Sequence, residues 1–338
     1  MASPISIGID LGHSSVKVSV KTSNGLALKG ANINFPTVVK PWKLIANEET
    51  ARKAELDTVQ IDGKKFFIGV TAARQGQADT FSGQSRNWVE TIEHDALLVG
   101  AWSRAMSILA DNDLIYPGKM SLVLGLPTSY YLAQRGLLRA RAQHLLNPKL
   151  APGQNLQVFV EAQSRAPLLC VALDSYGQAT GKAGESESWG VVEIGHFTTD
   201  FTFHDRGQEV DSISSSAMGA RMAYDSVATQ FKQKGYPVDI ESIDTAIRTG
   251  KTKNFGQEID VSNIVNPALS EFSTYILDEV TSRFGEKAQR MDGIIVAGGG
   301  AHLVGPYVKM TYPNATIPQN PRFTVAEGYS RFGLLTLK

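Results

Sequence analysis

Two strand-turn-strand segments far apart in the chain match each other position by position, and this internal repeat constrains the fold more than any other feature of the 338 residues. The first runs from Gly8 to Val20 and the second from Val191 to Phe203. From Asp10 and Glu193 onward, both read acid, apolar, Gly, His, any residue, hydroxyl, any residue, charge, apolar, hydroxyl, apolar. A self-match of this kind implies two halves built on one template. Short apolar runs bounded by turn residues predict buried strands at Ile5 to Ile9, Val16 to Val20, Ser121 to Leu126, Gln157 to Val160, Gly190 to Ile194, Phe201 to Phe203 and Gly293 to Ala297. Between them Trp88, Ile92, Ala96, Val99, Trp102, Met106 and Leu109 recur at steps of three and four, which predicts one long helix with an apolar face, ending near Asp111. Strands alternating with helices give an α/β class, and the length allows two domains with a core each.

A hairpin turn that carries Gly followed by hydroxyl residues can aim backbone N–H groups at an anion, since Gly tolerates the dihedral angles required. Lys17 on the returning strand adds a point charge, and Ser14, Ser15, Thr198 and Thr199 add hydroxyl donors. Asp10 and Glu193 end the leading strands, where carboxylates can hold Mg²⁺ through its waters. One such hairpin alone is equally an ordinary sheet component, and the matched pair is what favours a shared polyphosphate. His13 and His196 invite a transition-metal site, but turn histidines more often serve hydrogen bonding or packing. A third glycine turn, Gly298, Gly299, Gly300 and Ala301, follows the last predicted strand; three missing side chains leave backbone on which a purine and ribose can lie. It lacks the dinucleotide fingerprint, because Leu303 stands where the last glycine belongs. Gly177 and Gly181-Lys182 imitate a P-loop, but with glycines one residue too close and Ala183 in place of Ser or Thr.

Composition excludes more than it assigns. Basic and acidic residues balance at 33 each without a run of either sign, so direct nucleic-acid binding is not expected. Cys170 is the single cysteine and lies in the apolar run Pro167 to Leu173, which leaves no intrachain disulfide and reads as a buried thiol. The chain opens into a strand-like segment with no basic region ahead of a long apolar stretch, and no apolar run reaches membrane-spanning length; a cytoplasmic protein without membrane partners is expected. Residues 174–188 are rich in Gly and Ser without periodicity and are read as a flexible connection between the halves.

Taken together, these segments resemble the five-motif signature of the actin, sugar kinase and heat-shock ATPase superfamily. Asp10 to Lys17 resembles its first phosphate motif, Glu193 to Asp200 its second, Ile294 to Ala301 its adenosine motif, and Leu124 to Tyr131 and Val325 to Gly328 its two connecting segments. The resemblance implies two related actin-like, ribonuclease H-like domains with a nucleotide cleft between them. Domain I would span 1–173, with a small insertion at about 34–84, and be completed by a C-terminal helix at 322–338; domain II would span 189–321, with an insertion at about 236–265. Phe35 to Val39 and the Leu126 to Tyr131 stretch are most similar to plasmid-segregation actins of the ParM/StbA type.

That similarity implies an ATPase that binds ATP and Mg²⁺, with GTP as the alternative nucleotide. It would self-associate into cytoskeletal filaments and move plasmid DNA through a DNA-bound adaptor protein. By residue, Asp10, Gly12, His13, Ser14, Ser15 and Lys17 would hold phosphates and metal from the first half, and Glu193, Gly195, His196, Thr198 and Asp200 from the second. Gly298, Gly299, Gly300 and Ala301 would face the adenosine. Gln163, with Asp10 and Glu193 the catalytic set, would orient the attacking water. Glu193 departs from the usual Asp, which shifts the carboxylate by about an ångström and implies slower hydrolysis or a displaced metal. His196 and Phe197 stand where smaller residues are common. The competing reading is a small-molecule kinase of the same fold, which would need an Asp base and a sugar-site insertion that the sequence does not display.

Overall fold

The computed structural model describes residues 3–75, 87–114, 118–210 and 213–337. By internal contacts the chain divides into two units, Met1–Lys182 with Phe323–Lys338, and Ala183–Arg322. In the first, β1 (Ile5–Leu11) turns back into an antiparallel β2 (Ser15–Thr22), and β3 (Asn32–Pro36) extends the sheet beyond β2. An insertion follows: β4 (Val39–Pro41), α1 (Glu48–Glu55), β5 (Thr58–Ile61), β6 (Lys64–Ile68) and α2 (Gly69–Gln75), whose sheet runs β4-β6-β5. The part of the expected insertion from 76 to 84 lies outside the described residues. Then come α3 (Ile92–Asp111), β7 (Lys119–Leu126), α4 (Thr128–Leu146), β8 (Asn155–Ala162) and α5 (Ala166–Ala172). The main sheet is ordered β3-β2-β1-β7-β8, with β7 parallel to both β1 and β8.

The second unit repeats this plan. β9 (Ser188–Ile194) and β10 (Thr198–Asp205) form the hairpin, with β11 (Gln208–Glu209) and β12 (Ser215–Met218) both antiparallel to β10. α6 (Arg221–Lys234), α7 (Ile240–Thr249), the hairpin β13 (Lys251–Asn254) and β14 (Gln257–Asp260), and α8 (Ser262–Phe284) precede β15 (Gly293–Ala297), α9 (Ala301–Thr311) and β16 (Ala315–Thr316). Its sheet is ordered β11-β10-β9-β15-β16, with β15 parallel to β9 and β16. Each unit therefore places an antiparallel hairpin beside two parallel strands, the arrangement that the sequence repeat requires.

The long helix begins later than its periodicity suggests and is not one-faced. Trp88 sits in a separate helical turn, Trp88–Glu90, and Thr91 caps α3 by accepting from His94 N at 3.2 Å. Residues 94–102 of α3 are all buried, because the helix packs against β1 and β2 of the main sheet and also against β5 and β6 of the insertion. Periodicity reports a helix with one dry side, and this one has two.

The last element, α10 (Thr324–Thr336), rejoins the first unit and packs on β1, β2, β7 and α5. Glycines set how close it comes. A Cβ on Gly8 would overlap the Ala326 carbonyl, one on Gly125 the Tyr329 ring, and one on Gly328 the Ala166 carbonyl. Polar contacts cross this seam: Asn32 Nδ2 donates to Glu327 Oε1 at 2.8 Å, and Arg331 reaches Glu327 and the carbonyls of Cys170 and Leu173. Cys170 itself is buried, which pushes its thiol up to about 11. Within 174–188, the Asp174 carboxylate accepts from Tyr176 N and Gln178 N at 2.8 and 2.9 Å, and Tyr176 lies against Gly25.

Replacing Gly328 by Ala is expected to lower the unfolding free energy by at least about 2 kcal/mol, since backbone rather than a mobile side chain must move. Gly136→Ala, on α4 with open space around it, should be neutral or stabilising by about 0.5–1 kcal/mol. Urea unfolding of the two variants checks both signs; equal effects would show that the α10 seam is not tightly packed.

Candidate functional site

The two turns are closed by glycines whose missing side chains the geometry requires. A Cβ at Gly12 would stand 2.8 Å from Lys17 Nζ and 2.9 Å from Ser15 O, and one at Gly195 would stand 2.9 Å from Thr198 O. Register places Asp10 opposite Lys17 and Glu193 opposite Asp200, so the acid and charge positions of the repeat are cross-strand partners in both units.

In the first turn Lys17 Nζ donates to Asp10 Oδ2 at 3.0 Å, and Asp10 is only 4% exposed. Gln163, in a helical turn just after β8, donates from Nε2 to Asp10 Oδ1 at 3.4 Å. Two predicted residues from different elements thus converge on the carboxylate of a third. The peptides of the turn are oriented by Thr37, a buried residue to which the sequence reading gave no role. Thr37 Oγ1 donates to Gly12 O at 2.6 Å and Thr37 N donates to Ser14 O at 3.2 Å. Because N–H and C=O point oppositely across a trans peptide, the N–H groups of His13 and Ser15 face away from Thr37. His13 and Ser14 are exposed, and Ser15 and Lys17 are half-buried.

The second turn reaches the same orientation by other means. Gly195 N donates to Thr198 O at 2.8 Å, and the amides leading into α6 take the outer carbonyls: Ala220 N to Gly195 O at 3.0 Å, Arg221 N to His196 O at 2.8 Å, and Gly219 N to Phe197 O at 3.0 Å. The N–H groups of His196, Phe197 and Thr198 therefore point away from α6. Gly219 is as constrained as the turn glycines, since a Cβ there would stand 2.7 Å from Gly195 O, His196 O and Thr198 N. Thr198 Oγ1 donates to Asp200 Oδ2 at 3.3 Å, Ser216 binds the other oxygen, and Thr199 is buried with its hydroxyl on Met218 O at 3.0 Å. The His196 ring meets Phe197 and Tyr224 edge-on at 4.8 and 5.2 Å. Burial, reinforced by the nearby Arg221 cation, lowers its pKa, so at neutral pH it is an uncharged imidazole. Among the described residues no group of three His, Cys, Asp or Glu side chains is placed to hold a metal directly.

The third glycine turn abuts the second. β15 runs parallel to β9 with Ala297 opposite Glu193, and Gly300 N donates to Ile194 O at 2.9 Å. Gly298, at φ +89°, and Gly300 are both pressed against Ile194, where a Cβ on either would collide. Gly299 alone has room above it; the nearest atom to a Cβ there is Arg322 Nε at 3.9 Å. Two of the three glycines therefore serve packing, and only one is open to a flat group. Ala301 is buried as the first residue of α9. The two predicted connecting segments lie at the β7–α4 junction, where Thr128 bonds Ser164 at 2.8 Å, and in α10.

Comparison with known proteins agrees with this plan. Residues 8–158 match the family model for the actin-like proteins N-terminal domain, and residues 191–310 match that for the archaeal actin homologue MreB-like, C-terminal. A search of curated proteins returned no match. Among solved structures, an archaeal actin homolog in complex with ADP is 17% identical, covering 96% of this chain and 97% of its own at a TM-score of 0.68. A 15-stranded ParM filament from Clostridium botulinum is 18% identical over 98% of this chain and 99% of its own, TM-score 0.66. ParM of Bacillus thuringiensis with ATP is 14% identical over 99% of both, TM-score 0.64. At these identities the likeness is one of fold.

Lys17→Met should cost about 3 kcal/mol of stability by leaving the Asp10 carboxylate buried without its cation. Combining it with Asp10→Asn should cost less than the two single changes together, with a coupling of about 0.5–3 kcal/mol in a denaturant double-mutant cycle. Strict additivity would show that the pair does not interact.

Proposed function

The chain belongs to the actin-like proteins, and from that premise we propose that it binds ATP with Mg²⁺, hydrolyses it, and assembles into filaments that segregate plasmid DNA. The observation that carries the nucleotide reading is the shared peptide orientation: both Gly12 and Gly195 turns have carbonyls engaged on one side, which directs amides to the other, alternate ones in the first turn and consecutive ones in the second. Amides so arranged are an anion-binding device. Gly12, His13, Ser14, Ser15 and Lys17 in one turn and Gly195, His196, Thr198 and Asp200 in the other bind the phosphates. Asp10 and Glu193 fit Mg²⁺ held through its waters rather than directly, since Asp10 already accepts from Lys17 and Gln163. The metal, when bound, would neutralise phosphate charge. Gln163 orients the attacking water, because its amide is steadied by Asp10 yet keeps its carbonyl oxygen as an acceptor. The turn Gly298, Gly299, Gly300 and Ala301 forms the adenosine end, with Gly299 as the residue open to it.

The same reading includes filament assembly, a cytoplasmic localisation and a DNA-bound adaptor; the likeness in fold to a ParM filament and to an Alp12 filament, the latter covering 99% of this chain, supports the assembly. Light scattering should rise when ATP and Mg²⁺ are added and stay flat with buffer. Phosphorylation of a sugar or acetate without a scattering change would overturn the assembly reading in favour of a kinase. Gln163→Ala should slow phosphate release at least tenfold, the scale of a positioned acid-base or orienting group, and leave nucleotide binding and assembly intact. Equal loss of nucleotide affinity would show that Gln163 binds rather than orients.

A further inference from the structure

Gln163 leaves the main sheet at a point where the backbone is tied on both sides of it. The parallel pairing of β7 with β8 runs as far as Leu126 opposite Ala162, and Gln163 is the next residue. Past it, Thr128 and Ser164 stand at matching positions, each two residues beyond that last pair, and Thr128 Oγ1 donates to Ser164 Oγ at 2.8 Å. The two hydroxyls therefore continue the register by side chains after the backbone ladder has ended. Further along the same segment, the Ala166 carbonyl is pressed against Gly328 of α10.

This outside support matters because the Gln163 side chain is itself weakly held. Its Nε2 stands 3.4 Å from Asp10 Oδ1, longer than the usual N–H···O bond, and the residue is only half-buried. Glu161 and Arg165 pair around it at 2.9 Å, but both belong to the same short segment and Arg165 is exposed. An ion pair internal to the segment shapes the turn without fixing where it stands against β7, and one with an exposed partner contributes little. Ser164 is buried, so its hydroxyl needs partners, and Thr128 supplies one from a separate element as the first residue of α4.

We propose that Thr128 is a positioning residue for ATP hydrolysis: through its bond to Ser164 it sets the place of the Gln163 backbone, and with it the carbonyl oxygen that orients the attacking water. The proposal rests on the role given to Gln163 above. Both chain neighbours of Gln163 are held from the β7 side, Ala162 by the ladder and Ser164 by the Thr128 hydroxyl. Orientation of a reacting group is sensitive to displacements of about an ångström. Nucleotide binding is assigned to the glycine turns, which belong to other elements than the two that Thr128 joins, so its loss should fall on hydrolysis and not on affinity.

The test measures phosphate release at saturating ATP and Mg²⁺, ATP affinity by calorimetry, and the light-scattering plateau, on the full chain and its variants. Thr128→Val, which keeps the branched shape and removes the donor, should slow release about three- to tenfold and leave affinity and plateau unchanged. Thr128 is exposed, so the change leaves the core intact. Thr128→Ser, which keeps the hydroxyl, should retain the wild-type rate. Because Thr128 acts only through Gln163, Thr128→Val should add no further slowing to Gln163→Ala. Slowing of both backgrounds by the same factor is what a merely structural role gives, and it would overturn the proposal. A parallel fall in affinity or plateau, or a slow Thr128→Ser, would overturn it as well. If Gln163→Ala slows release and Thr128→Val does not, this proposal alone fails; if Gln163→Ala has no effect, the water-orienting reading fails with it.

Discussion

Peptide orientation in the two glycine turns is the constraint on which the rest of the structure depends. A tight turn offers its carbonyls or its amides to a ligand according to which are tied down, and here the carbonyls are taken. In one unit a buried threonine hydroxyl and its own amide do this; in the other, the first amides of a helix do. The second solution also satisfies donors that a helix N-terminus would otherwise leave unpaired. Both demand glycine: a Cβ at Gly12 would meet Lys17 Nζ and Ser15 O, one at Gly195 would meet Thr198 O, and one at Gly219 would meet the bonded carbonyls of Gly195 and His196. The sheets repeat outward from the turns, with the hairpin on one side and two parallel strands on the other.

Much of this was legible in the sequence because the repeat is local. Asp10 to Lys17 and Glu193 to Asp200 each lie within one hairpin, where register alone makes the acid and charge positions partners. The predicted strands are buried apolar runs, and each lies within an observed strand. Thr37 escaped notice because its contact with Gly12 spans 25 residues and depends on the insertion's starting point, for which no short pattern exists. The roles of Gly298 and Gly300 were likewise hidden: their closeness to Ile194 comes from parallel pairing of β15 with β9, which the sequence around 298 does not encode. Trp88 fits the helical period of α3 yet lies outside it, since the Thr91 cap decides where the helix begins.

The glycines of the α10 seam make a similar point about packing. Gly8, Gly125 and Gly328 lie on three different elements, and each is required by a backbone or ring that approaches from α10 or α5. Such close approach leaves little room for adjustment, as interiors packed to crystal density do not yield to an added methyl group. Asp10, next to last in β1, and Gln163, just past β8, are thus held by a core that joins the start of the chain to its end.

The two hairpins differ most in charge. In the first, Lys17 lies across from Asp10 and neutralises it at 3.0 Å. In the second, Asp200 lies across from Glu193, and two acids directly opposite on neighbouring strands repel each other. Hydroxyls of Thr198 and Ser216 spread the charge of Asp200 without cancelling it. A cation would relieve the repulsion more than a neutral donor does, because a charge attracts a carboxylate more strongly than a hydroxyl dipole does. Two copies of one template thus carry different local charge, a neutralised pair across the first hairpin and two acids across the second.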